Sequence, residues 1–415
     1  MFKSVRQTSY AAILLALSSV PASAPANAQQ VLPPVLTAGA KSDVPVAVQL
    51  LRWHMLDGDV NSLMFRSMDT LFTTRSVPRS GAVWQLPRED HNLTFSYTFD
   101  GKVHPALDVL EDTYTNALLV MKDGKIVKEI YRNNTNASTR FIGFSMTKSL
   151  TSLLVGCALA EGRIKSLDDP ITAYLPELKD GAYNGVTIRQ IMEMRSGVDY
   201  EERYDFAHPG AAATNHINAL VKNVARFADP ARTIKRAHKP GTVWQYKTID
   251  TAVLGWLIER VSGTTVAAYT AQKIWEPLGT ERDGFYIMDG QPGVGREFSG
   301  AGFNATLRDW ARLGLMMLNK GVANGKRIVS ADWVSMTTTP VGKEDPEHGG
   351  YSYQWWTMGN SDAYLAEGLA GQYVYVDPDT KTVVVKLSYF PNQGWEHADA
   401  EAKAFFRAAS AWKPN

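Results

Sequence analysis

The chain has 415 residues, 45% hydrophobic and 20% charged, with 11 Trp and 17 Tyr, a composition that supports a large core and excludes disorder as the ground state. Its 43 Lys and Arg face 42 Asp and Glu, so no basic surplus exists for nucleic acid or for an anionic membrane. The single cysteine, Cys157, excludes an internal disulfide framework.

The first segment reads as an export signal. Lys3 and Arg6 precede an apolar stretch that closes on Ala26-Asn27-Ala28, a small-x-small cleavage pattern, and Ser and Pro interrupt that stretch before it reaches the length of a bilayer span. Cleavage after Ala28 is expected, giving a periplasmic or secreted chain with no membrane span. Losing Lys3 and Arg6 leaves it close to neutral, which suits a small-molecule substrate. Residues 29 to 110 mix Pro pairs with segments such as "LLRWHML" and "NSLMFRSMDTLF". They are expected to form an N-terminal extension of short helices and irregular structure packed on a main domain of residues 111 to 415.

That domain opens with "ALLVMKDGKIVKEIYR", two β-rich runs around Asp123-Gly124, the dipeptide that supplies positive φ for a tight hairpin. Next comes "FSMTKSLTSLLVGCALAEG", apolar on nearly every face, which predicts a central buried helix closing at Gly162. Cys157 falls inside it and reads as a packed core thiol, since a reactive thiolate needs an accessible, electropositive setting. "TIRQIMEM" predicts a short amphipathic helix, and residues 198 to 245 an irregular, polar stretch; together they form a helical, loop-rich lobe. Three helices follow, in "DTAVLGWLIERVSG", "TVAAYTAQKIWEPLG" and "TLRDWARLGLMMLNKG", each ending at Gly, with Asp250 and Thr306 as expected N-caps. "YSYQWWTM", "GLAGQYVYV" and "TVVVKLSYF" are strands, with "DPDTK" turning between the last two, and "ADAEAKAFFRAASAW" is a closing helix. An early hairpin, central helices and a late meander predict an α+β fold whose antiparallel sheet draws on both chain ends.

Chemistry concentrates at Ser145 and Lys148. Three residues apart on a helix, they share one face. A serine hydroxyl is a weak nucleophile until a base takes its proton, and a lysine at the foot of an apolar helix loses charge because burial disfavours the ammonium. The helix N-terminus adds free N–H groups suited to an oxyanion. An isolated S-x-x-K is equally readable as an N-cap serine beside a surface lysine. No histidine pair has metal-ligand spacing, no G-x-S-x-G elbow surrounds a serine, and no glycine run carries a Walker lysine. No metal or cofactor is therefore expected.

Downstream, Tyr246 stands in "QYKTIDTAVLGWLIERVSG", and "LAEGLAGQYVYV" supplies a glycine-rich strand. With the S-x-x-K these resemble the serine β-lactamase and penicillin-binding protein superfamily, in its class C and esterase branch. In order and spacing, "FSMTKSL", "VDYEERY", "TLRDWARLGLMML" and "YQWWTMGN" are similar to the 6-aminohexanoate-dimer hydrolases, with the likeness covering residues 110 to 412. The resemblance implies a β-lactamase/transpeptidase-like fold and a cofactor-free serine hydrolase that cleaves small amides or esters through an acyl-enzyme. It implies Ser145 as nucleophile, Lys148 as its base and Tyr246 as proton relay, with the backbone N–H groups of Ser145 and Leu369 holding the oxyanion. Tyr204, Thr248 and Gly368 are implied substrate contacts; a register ending at Gly371 competes with that ending at Gly368. Trp244, Trp355 and Trp356 are expected to wall the pocket.

Two departures bear on specificity. Thr248 stands where the superfamily has Asn and the dimer hydrolases Ser, and Ala366-Glu367-Gly368 replaces Lys-Thr-Gly, removing the cation that binds a β-lactam carboxylate. No residue clearly matches the acid that meets the dimer's free amine, though Asp205 and His208 lie near its place in sequence. Carboxylesterase, weak β-lactamase or DD-peptidase activity, and a non-catalytic binding module, remain the alternative expectations.

Overall fold

A computed structural model of the protein describes residues 42–206, 208–290, 293–342 and 349–414. Of the two units into which the chain divides, Met1–Leu32 and Pro33–Asn415, only the second contains described residues. The first, with the expected signal segment, lies outside the described residues.

Residues 42 to 110 hold short helices such as Val46–Trp53, and the strand β1 (Thr74–Val77). The hairpin β2 (Thr115–Lys122) and β3 (Lys125–Tyr131) follows, turning on Asp123 at φ 48° and Gly124 at φ 79°, as its sequence predicts. After β4 (Arg140–Ile142) comes the buried helix α1 (Met146–Ala160). The lobe of residues 161 to 247 carries short helices, among them Ile188–Met192, opened by a capping box between Thr187 and Gln190. Then come α2 (Thr248–Ser262), β5 (Gly284–Ile287), β6 (Phe303–Thr306), α3 (Leu307–Leu318), β7 (Tyr351–Ser352), β8 (Trp355–Thr357), β9 (Tyr364–Gly368), β10 (Gln372–Asp377), β11 (Thr382–Ser388) and α4 (Trp395–Ala411).

The main sheet has the order β7-β8-β9-β10-β11-β2-β3, and each adjacent pair is antiparallel. Both chain ends thus meet where β11 pairs with β2. Both faces of this sheet are covered, so its strands alternate between two cores. Ala117, Leu119 and Met121 of β2 point into the larger core, which includes α1, α2 and α3 residues. Leu118 and Val120 point into a smaller one closed by Phe405 and Phe406 of α4. A second sheet, β1-β5-β6-β4, was not anticipated from sequence; its strands are three or four residues long, and β1 joins it from residues read as irregular.

Two helix starts differ in outcome. Thr306 caps α3 as expected, accepting from Asp309 N–H. Asp250 does not cap its helix: α2 begins at Thr248 after Lys247, and Asp250 is buried in the first turn, taking a 2.6 Å bond from the Tyr183 hydroxyl.

Candidate active site

The turn into α1 is clamped from behind. Gly143 N–H donates to Phe303 O (2.8 Å), and Phe303 N–H donates to Thr147 Oγ1 (3.0 Å), fixing the helix start against β6. Phe144, immediately before Ser145, sits at φ 42°, a left-handed conformation uncommon for an aromatic residue and held only where surroundings impose it. Ser145 is the N-cap, yet its side chain caps nothing. Its Oγ is instead 2.9 Å from Lys148 Nζ, so the reading as an ordinary cap serine beside a surface lysine fails.

Lys148 is 1% exposed. Its Nζ meets Thr248 Oγ1 at 3.1 Å and Gly300 O at 2.9 Å besides Ser145. Helix α2 presents Thr248 at its first turn, and glycine at position 300 permits the approach: a Cβ there would lie 2.6 Å from Thr248 Cγ2. Burial pushes the Lys148 amine down to about 8, against the opposing charge of Glu202. The amine is thereby brought near the range where it can accept a proton at moderate pH.

Tyr246 precedes α2 in a loop tied down by Gln245 N–H to Met194 O (3.0 Å). Its ring centroid is 4.8 Å from Lys148 Nζ, and it stacks on Trp356 at 5.6 Å. Burial raises its phenol above the ordinary range, with its hydrogen-bond contact with Ser145 acting the other way. Ser145, Lys148, Tyr246 and Thr248 therefore converge, as the resemblance implies.

Glu202 joins them, and sequence reading passed over it. Its carboxylate accepts from Thr248 N–H (2.9 Å) and Tyr204 OH (2.7 Å), and from the Thr248 hydroxyl. The available signal was its place in "DYEERY" beside Tyr204, but nothing there says that this acid rather than Glu201 turns inward.

The far wall is the end of β9. Gly368 pairs with Gln372 across a turn of Leu369, Ala370 and Gly371, so the strand ends at Gly368 and Gly371, at φ 84°, belongs to the turn. A Cβ on residue 368 would lie 2.2 Å from Gly143 O, which shows how closely this strand passes the Ser145 turn. The cavity so enclosed measures about 370 Å³ and is lined by Ser145, Glu202, Tyr204, Tyr246, Thr248, Trp356, Gly368 and Leu369 among others.

Two expectations about the walls need correction. Trp355 is fully buried and packs edge-on against Tyr364 at 5.8 Å; with side chains alternating along β8, its neighbour Trp356 takes the cavity face. Trp244 does not line the cavity; it packs behind, against Trp356 and Tyr351. Asp205 and His208 do not border it either. Elsewhere, His104 Nδ1 lies 3.6 Å from Asp112 and 3.9 Å from Glu401, a group that sequence spacing did not reveal and that lies off the cavity lining.

The family model described as Beta-lactamase matches residues 110–408, most of the chain. The chain belongs to the beta-lactamase family. A 6-aminohexanoate-dimer hydrolase of Paenarthrobacter ureafaciens is 34% identical over 304 residues, spanning 69% of this chain and 76% of that protein. Esterase EstB of Burkholderia gladioli is 31% identical over 151 residues, 34% of this chain and 37% of its own. A solved Bacillus anthracis structure superposes with TM-score 0.73 at 24% identity, covering 87% of this chain and 94% of that one, a likeness of fold. Within the beta-lactamase family this chain is a serine hydrolase with a β-lactamase/transpeptidase-like α+β architecture. No helix among its described residues is long and apolar enough to cross a membrane.

Proposed function

We propose that this serine hydrolase cleaves small amides, in the manner of the 6-aminohexanoate-dimer hydrolases, and the corresponding esters, through an acyl-enzyme on Ser145. The observation that carries the reading is the 2.9 Å contact between Ser145 Oγ and an almost wholly buried Lys148 amine. Ser145 Oγ attacks the carbonyl carbon while its proton passes to Lys148 Nζ. The backbone N–H groups of Ser145 and Leu369 hold the oxyanion; being backbone donors, they do not depend on the altered side chains of Ala366-Glu367-Gly368. As the tetrahedral intermediate collapses, the C–N or C–O bond breaks and the leaving amine or alcohol takes a proton relayed through Tyr246. Water then attacks the Ser145 ester by the reverse path, returning the serine proton and releasing the acid.

The cavity chemistry supports amides and esters over penicillins. Glu202, Glu367 and Asp399 line it, the last two paired with Lys403 at 3.0 and 2.9 Å, and no Lys or Arg is among the described lining residues, so a β-lactam carboxylate would meet no cation at the cavity wall. Tyr204 at the wall supports contact with a substrate amide. Export is part of the same proposal, on the strength of Lys3, Arg6 and Ala26-Asn27-Ala28; N-terminal sequencing of exported protein should read from Gln29.

The test is a parallel assay of a p-nitrophenyl ester, 6-aminohexanoate dimer and nitrocefin with wild type and Ser145→Ala. All turnover should vanish in the variant, and wild-type nitrocefin turnover should fall roughly 100-fold below that of the ester. Undiminished ester hydrolysis by Ser145→Ala would reject the nucleophile. A burst of one equivalent without turnover would favour a binding module instead.

A further inference from the structure

We infer that Glu202 is a positioning residue: through the Thr248 hydroxyl it sets which way the Lys148 hydrogens point, leaving the amine lone pair directed at Ser145. The inference rests on Ser145 and Lys148 being nucleophile and base. It follows from counting donors and acceptors. The Thr248 hydroxyl has one hydrogen and three neighbours: Lys148 Nζ at 3.1 Å, a Glu202 carboxylate oxygen, and the Tyr204 phenol, whose own hydrogen goes to that same carboxylate. A carboxylate only accepts, so the hydroxyl hydrogen goes to Glu202, and Thr248 Oγ1 must accept from Lys148. Gly300 O is likewise only an acceptor, at 2.9 Å. A neutral amine has two hydrogens, and Thr248 and Gly300 use both. The remaining contact, Ser145 Oγ at 2.9 Å, is left to the lone pair, so the Ser145 hydroxyl donates to Lys148. That is the direction in which the proton travels when Ser145 attacks.

Without Glu202 the Thr248 hydroxyl could turn its hydrogen onto the Lys148 lone pair and compete with Ser145. Glu202 is held for this task from two other sides, by Thr248 N–H at 2.9 Å and Tyr204 OH at 2.7 Å. This also accounts for Thr248. An amide side chain, with its own N–H donors, could meet both the amine and a substrate; a bare hydroxyl needs a third group to fix its hydrogen, and Glu202 is that group.

A purely structural role is also available, because Glu202 accepts from the first turn of α2, whose N-cap Lys247 makes no side-chain cap. The test therefore needs readouts that lost capping would not move. The groups facing Lys148 are Ser145 on its own helix, Thr248 on α2, the Tyr246 ring, the Gly300 carbonyl and Glu202. Glu202 is the charged group acting on it, in the direction that raises the amine. Removing that charge in Glu202→Gln should move the acid limb of kcat/KM to lower pH.

The experiment measures pre-steady-state acylation by a p-nitrophenyl ester across pH for wild type, Glu202→Gln, Glu202→Ala, Thr248→Ser, Thr248→Val and Glu202→Ala/Thr248→Val. Glu202→Ala and Thr248→Val should each slow acylation by about 10- to 100-fold, and the double variant should be no worse than about threefold below the slower single one. Thr248→Ser, which keeps the hydroxyl, should stay within about threefold of wild type. An acid limb unmoved in Glu202→Gln, a Glu202→Ala variant acylating at the wild-type rate, or multiplicative losses in the double variant would overturn the inference. If the Glu202 variants do not fold, Thr248→Ser against Thr248→Val decides: equal loss in both would overturn it. Normal labelling of Ser145 alongside indifferent Glu202 variants would defeat this inference alone, whereas labelling elsewhere would defeat the nucleophile assignment beneath it.

Discussion

Lys148 costs the fold stability that a methionine would not. Its amine is lowered from 10.5 to about 8 by burial, so the folded state binds that proton less tightly than the unfolded chain does. The penalty is therefore full below about pH 8 and is relieved as pH rises toward 10.5. Its size is of order 3 kcal/mol, from about 1.4 kcal/mol per unit of lowering. Lys148→Met should lose esterase activity yet melt a few degrees higher at pH 7, the gap closing toward pH 10.5. Calorimetry across pH checks this; a variant less stable than wild type at every pH would contradict it. The wild-type kcat/KM should correspondingly rise with unit slope as pH climbs to about 8.

At the scale of elements, the approach of β9 to the turn before α1 shapes the site. Gly368→Ala puts a methyl where Gly143 O now lies, 2.2 Å away, so one of the two backbone segments must shift. The expected result is a loss of at least about tenfold in acylation with the fold kept, since a displacement near 1 Å suffices for such losses; unchanged acylation with Gly368→Ala would show that the strand end plays no part. The same elements show what sequence could and could not reveal. The Asp123-Gly124 hairpin was legible because its turn demands positive φ and the dipeptide supplies it. The turn between β7 and β8 was not, because Tyr353 and Gln354 adopt φ 41° and 74° without glycine. Helix α1 and its Ser145-Lys148 face were legible from local spacing. Glu202 was not, because its partner Thr248 stands 46 residues away, and only the folded lobe brings them together. The withdrawal of Trp355 from the cavity has a local cause: a three-residue strand does not declare which of two adjacent tryptophans faces the cavity.

Across the whole molecule, the sheet joining both chain ends needs cover on two faces. The site side is covered by α1 and α3, with α2 packed on α1, the opposite side by α4, where Phe405 and Phe406 are fully buried. Phe405→Ala, whose ring packs against Phe95 and Tyr97, neither of them a cavity-lining residue, should cost about 3–5 kcal/mol in denaturant titration while leaving kcat/KM of the folded enzyme near wild type; a matching fall in kcat/KM would show that the smaller core is coupled to the site. The assembly places one hydroxyl against one deprotonable amine. The most direct test labels the protein with a fluorophosphonate over a pH series and maps the adduct by peptide mass spectrometry. The account predicts a single adduct on Ser145, formed faster as pH rises toward about 8 and absent in Lys148→Met. An adduct on another residue, or a Ser145 rate indifferent to both pH and Lys148, would contradict it.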